Sequence, residues 1–280
     1  MYNSVLAVPD SESAIYSMLE KCELMSVNQL TLVYPFGEYR FTNKPHILNK
    51  LSSLKDKGCQ LDHITLPLGA HKKHFSFIAE QAELRDAQLI MLTRQQEQPG
   101  SDWLNGVKSL LRSNSEWAVM LCSKRSWAGR SIGVLATIDI LDDTKEHAAL
   151  NTGVLDAACS LTERLAAMLH VLSVIPVSLV STELDLVEPY ERLQKHVATT
   201  HEKLVEFTSA LHDGKDAILS VTAGYPPREI QSYTRQHHLN LVVLGNIART
   251  GIRGLLLGNT AEKILEHLRT DALIVRNKHH

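Results

Sequence analysis

The chain has 280 residues, 44% of them hydrophobic and 21% charged, with a formal net charge of −2. That length suits two domains of roughly 140 residues, each large enough to bury its own core. The balanced charge gives no general pull toward nucleic acid or an acidic membrane, no apolar run approaches the roughly 18 residues of a membrane span, and the first residues do not read as a secretory leader. Cys22, Cys59, Cys122 and Cys159 are scattered without a Cys-x-x-Cys pair, so reduced thiols and a cytoplasmic setting are expected.

Taken in chain order, the first strand signal is Val5-Leu6-Ala7-Val8, closed by Pro9-Asp10. Further apolar runs follow at Leu32-Val33-Tyr34-Pro35, Leu68-Gly69-Ala70-His71, Leu89-Ile90-Met91-Leu92 and Ala118-Val119-Met120-Leu121. A short basic stretch, Lys124 to Arg130, then reads as a linker between domains 1–124 and 130–278. The second half repeats the first in the same order. Its counterparts are Val134-Leu135-Ala136-Thr137-Ile138-Asp139, Ser173-Val174-Ile175-Pro176, Ala223-Gly224-Tyr225-Pro226, Leu241-Val242-Val243-Leu244 and Ala272-Leu273-Ile274-Val275.

Helical spacing fills the gaps. Leu150, Val154, Ala158, Leu161, Leu165 and Met168 lie on one helical face, and Leu193, Val197, Leu204, Val205 and Leu211 mark another. Gly224-Tyr225-Pro226-Pro227 reads as a turn into a helix with proline in its first turn. Each half is thus β-α-β-α-β-α-β-α-β, an α/β pattern that predicts a doubly wound parallel sheet with right-handed crossovers.

The stretch from Leu239 to Arg276 carries the clearest chemistry. A buried strand, Leu241 to Gly245, leads into a glycine-bracketed loop, and then into a helix with Ala261, Ile264, Leu265 and Leu268 on one face. Asn259 or Thr260 can cap that helix. Strand, loop and helix N-terminus together form a candidate anion site.

Gly245-x-x-Ala248, nine residues, then Gly258-Asn259 resembles the nucleotide loop of the universal stress protein family, and the tandem, E-type members in particular. The family pattern has glycine where Ala248 stands and a hydroxyl residue where Asn259 stands. The resemblance implies two tandem five-stranded parallel sheets of order 3-2-1-4-5, the adenine nucleotide alpha hydrolase-like arrangement, packed as a pseudo-dimer. It implies that the strands near Trp117–Cys122 and Ala272–Arg276 lie close together, with a homodimer of whole chains left open. The implied ligand is ATP or AMP in the second domain. Asp139 and Val174 would sit near the base, and Gly245, Ala248, Arg249, Thr250, Gly251, Gly258, Asn259 and Thr260 near ribose and phosphates.

No residue offers itself as a base for an attacking water, so catalysis is not expected. The first half has no glycine scaffold after Leu92 and reads as a degenerate copy, with Asp10 capping a turn. His71 and His74 flank two lysines, which oppose a divalent cation, so no metal is expected. His237 and His238 read as surface residues. Arg112, Lys124, Arg125 and Arg130 form no aromatic-interleaved patch for nucleic acid. The alternative function is a nucleotide-independent, stress-associated module that binds a protein or an apolar small molecule. The sequence names no protein partner.

Overall fold

The computed structural model describes residues 2–34, 44–66, 74–94, 102–112, 117–129, 131–177, 190–211, 216–246 and 259–276. These residues form two compact units. Positions up to Gly129 group with Asp271–Ile274, and Ser131–Asn246 groups with Asn259–Thr270 and Val275–Arg276. Among the described residues no helix is long and apolar enough to cross a membrane.

The first unit alternates β1 (Ser4–Val8), α1 (Glu12–Leu24), β2 (Gln29–Tyr34), α2 (Pro45–Asp56), β3 (Gln60–Thr65), α3 (His74–Leu84), β4 (Leu89–Thr93), α4 (Asp102–Arg112) and β5 (Ala118–Cys122). The strands are parallel in the order β3-β2-β1-β4-β5, the expected 3-2-1-4-5. The central strands β1, β4 and β5 are unbroken apolar runs because helices cover both faces. Strand β10 (Asp271–Arg276) pairs antiparallel with β5, Ala272 opposite Leu121 and Ile274 opposite Val119. The expected proximity of these two runs is therefore a hydrogen-bonded pairing that covers an edge of β5.

Helix α1 shows why periodicity alone is not enough. Ala14, Ile15, Met18, Leu19 and Cys22 form its core stripe, yet Ser17, Glu20 and Lys21 are also buried. Lys21 Nζ lies 2.9 Å from Asp271 Oδ2, 2.7 Å from Ser17 Oγ and 2.9 Å from the Ser123 carbonyl, with the Trp127 ring 5.4 Å away. The Glu20 carboxylate accepts the Trp127 N–H at 2.7 Å and the Ser126 hydroxyl at 2.9 Å. Trp127 is 1% exposed. The stretch read as a basic linker is thus latched onto α1 through Ser123–Ala128. Arg94 is half-buried at the end of β4, and desolvation pushes its guanidinium down to about 10 while nearby Asp271 opposes the fall.

The second unit holds β6 (Gly133–Thr137), α5 (Lys145–Leu165), β7 (Met168–Pro176), α6 (Tyr190–Leu211), β8 (Ala217–Gly224), α7 (Pro226–Gln236), β9 (Leu241–Asn246) and α8 (Asn259–His267). Its strands are parallel in the order β8-β7-β6-β9, which reproduces 3-2-1-4 of the expected arrangement. One assignment moves. Met168, placed on the helix by its spacing, instead opens β7. Helix α5 closes at Ala166, whose φ of 46° is left-handed, and Ala167 N–H returns to the Thr162 carbonyl at 2.8 Å. Met168 then pairs in the ladder with Gly133.

Candidate functional site

In the second unit β6 lies between β7 and β9. The strand order reverses direction at β6, and in open α/β sheets ligands sit at the carboxyl ends of the strands at such a point, here β6 and β9. Asp139 lies two residues past β6, at the position that Asp10 holds past β1. Its backbone is clamped by Asn151 of α5. The Asp139 N–H donates to Asn151 Oδ1 at 3.2 Å, and Asn151 Nδ2 donates to the Asp139 carbonyl at 2.8 Å. The Asp139 carboxylate is exposed and accepts the Leu141 N–H at 3.3 Å, a local Asx turn.

Gly245, next to last in β9, lies on the face covered by α5. A Cβ there would lie 2.6 Å from Leu150 Cδ2, so close helix packing requires glycine whether or not a ligand binds. Val174 is half-buried near the end of β7. Helix α8 starts at Asn259 with Thr260 exposed, and buries Ala261, Ile264 and Leu265 while packing on α7 and β9. The fold thus brings Asp139, Val174, Gly245, Asn259 and Thr260 to one end of the unit. Ala248, Arg249, Thr250, Gly251 and Gly258 lie outside the described residues, as do His71 and the Leu68–His71 run.

Two features of this unit escaped the sequence reading. Asn246 follows Gly245 at the end of β9, is 1% exposed, and has no partner among the described residues for either carboxamide atom. The second is an aromatic cluster on the α7 face. His170 of β7 is 3% exposed, its Nδ1 sits 3.1 Å from the Tyr233 hydroxyl, and that hydroxyl is 3.0 Å from Ser220 Oγ. His237, read as a surface residue and indeed exposed, lays its ring over Tyr233 and His170, with centroids 4.2 and 5.1 Å apart. A histidine alternating with apolar residues in a strand was the available signal.

Burial, and then the neighbouring His237, hold His170 below the ordinary 6.5. The folded state therefore binds this proton less readily than the unfolded chain, and stability falls as pH drops from about 6.5 through the folded value. His170→Gln is expected to flatten that slope, read as melting temperature between pH 7.5 and 5. An unchanged slope would show that other groups govern it.

The first unit's counterpart is electrically closed. Asp10 N–H donates to Thr93 Oγ1 at 3.0 Å, and its carboxylate pairs with Lys124 at 3.2 Å. An open groove of about 780 Å³ beside it is lined by Ser11, Glu12, Ser13, Tyr16, His46 and Lys124. Glu12 lies 3.2 Å from His46 Nε2 and 4.0 Å from Lys44 Nζ, so its carboxylate already has partners there. Among the described residues no group of three or more His, Cys, Asp or Glu is placed to hold a metal ion.

A sequence model of the universal stress protein family matches residues 142–276, from the turn after β6 to the end of β10. This segment of the chain is thus similar to the universal stress protein family. Among curated relatives, universal stress protein E of Salmonella typhi is 25% identical over 145 residues, 51% of this chain and 46% of that protein. The Escherichia coli K12 protein of the same name is 26% identical, with 51% and 46% covered. The match thus spans about half the length of these relatives. A functionally unknown protein from Pseudomonas aeruginosa PAO1 shares the fold with a TM-score of 0.69 at 21% identity, covering 99% of this chain and 93% of the other. A universal stress protein from Archaeoglobus fulgidus does so with a TM-score of 0.60 at 15% identity, covering 99% of both chains.

Proposed function

We propose that this chain acts as a universal stress protein that binds an adenine nucleotide, ATP or AMP, in its second unit, as a stress-associated sensor rather than a catalyst. The observation that carries this reading is the placement of the family loop. Gly245-x-x-Ala248 through Gly258-Asn259 joins β9 to α8, and β9 flanks β6 where the strand order reverses. A helix N-terminus offers N–H groups without intrahelical partners and the positive end of the helix dipole, which suit phosphate oxygens. Asp139 and Val174 stand at the adjoining strand ends, where the nucleoside would rest. The four cysteines are all unpaired, which fits a cytoplasmic location.

Mass spectrometry of small molecules released by heat from the purified protein tests the reading. Stoichiometric ATP or AMP is the expected result, while no release together with no binding of added nucleotide would overturn it. A nucleotide-independent interaction module is the rival, favoured by the use of the Asp139 carboxylate in its own turn. Under that reading an added nucleotide leaves the melting temperature unchanged.

A further inference from the structure

A buried carboxamide without a hydrogen bond is costly, because both its donor and its acceptor have left water unpaired. Asn246 is such a group, 1% exposed at the last position of β9. Its direction follows from register. His170 pairs with Leu135, and Leu135 pairs with Val242, so these three side chains share one face of the sheet. That face carries α7, because His170 meets Tyr233 there. Alternation along β9 then sends Leu244 and Asn246 to the same face, and Gly245 to the α5 face where Leu150 covers it. Helix α8 packs on α7, so Asn246 points to the side on which α8 begins. Val174 shares this parity with His170 on β7.

We infer that Asn246 is a specificity-determining residue of this site, whose carboxamide completes its hydrogen bonds on the nucleoside part of the ligand. The inference rests on the nucleotide reading above. The chemistry selects the nucleoside over the phosphates. A carboxamide needs one partner that accepts from Nδ2 and one that donates to Oδ1. Phosphate oxygens only accept and would leave Oδ1 unpaired. An adenine edge offers an amino donor beside a ring-nitrogen acceptor, and ribose hydroxyls both donate and accept. The ligand therefore relieves an existing penalty as well as forming contacts, and a ligand without such a pair does not.

Titration of adenosine, AMP and ATP into wild type, Asn246→Leu and Asn246→Ala tests this. Both variants should lose about tenfold or more in affinity, by the same factor for adenosine as for ATP. Ligand-free Asn246→Leu should melt no lower than wild type, because no internal hydrogen bond is removed. Unchanged adenosine affinity in a folded variant overturns the inference and leaves the nucleotide reading standing. A loss seen with ATP and absent with adenosine moves the contact to the phosphates and also overturns it. A lower melting temperature for ligand-free Asn246→Leu would show that the amide has an internal partner, against the inference. Wild type that binds none of the three removes the nucleotide reading and this inference with it.

Discussion

Lys21→Met is expected to lower the unfolding free energy by about 3–5 kcal/mol, since it leaves a buried carboxylate without its counter-charge. Both members of the Lys21–Asp271 pair are 0% exposed, and Lys21 holds Ser17 and the Ser123 carbonyl as well. Asp271 is otherwise met by the Ser123 N–H, so its charge would stay buried with one hydrogen bond and the Arg94 field. Replacing both partners, Lys21→Met with Asp271→Leu, should recover most of the loss, because two apolar groups of similar size carry no desolvation penalty. The Lys44–Glu12 pair is the internal control. Its side chains are 52% and 35% exposed, and Lys44→Ala should change stability by no more than about 1 kcal/mol. Equilibrium urea unfolding of the three variants and wild type measures all of this. A Lys21→Met protein within 1 kcal/mol of wild type would mean that water or another cation takes over the role of the lysine.

Gly258→Val should weaken ATP binding by about a hundredfold, the effect of 2–3 kcal/mol of clash and strain where a branched side chain enters a close-fitting path. Gly258 immediately precedes α8 in the sequence, and under the proposed nucleotide reading the phosphates meet the N-terminus of that helix. Ala248→Gly restores the family loop and, under the same reading, should leave affinity unchanged or raise it. Calorimetric titration decides. Wild-type binding that survives Gly258→Val would place the site elsewhere. Binding gained only in Ala248→Gly would mean that the natural chain has given up the nucleotide.

Most of the architecture was legible because it is periodic and repeated. Apolar runs of strand length at Val5, Leu89, Ala118, Val134 and Leu241, with helical spacing between them, specify an alternating α/β chain before any contact is known. The proline-started helix after Gly224 and the buried stripe Ala261, Ile264, Leu265 and Leu268 were written in local chemistry, and the structure has them there. At the candidate site the sequence marked Asp139 and Gly245 as strand ends, because turns follow apolar runs.

Tertiary structure decided what depends on partners distant in sequence. Nothing in the local sequence marks Lys21 for burial; its partner Asp271 lies 250 positions later in the chain. Trp127 and its neighbours read as a linker until the Glu20 carboxylate takes their N–H groups. Met168 fits the helical spacing of α5, and only the left-handed turn at Ala166 and the pairing with Gly133 move it into β7. Gly245 reads as the strand end that opens the glycine loop, yet the Leu150 side chain pressing on it gives it a packing role. Asn246 reads as one more polar residue after a strand. Periodicity fixes which face a residue occupies, but whether a buried polar group is satisfied depends on three-dimensional neighbours that no local pattern records.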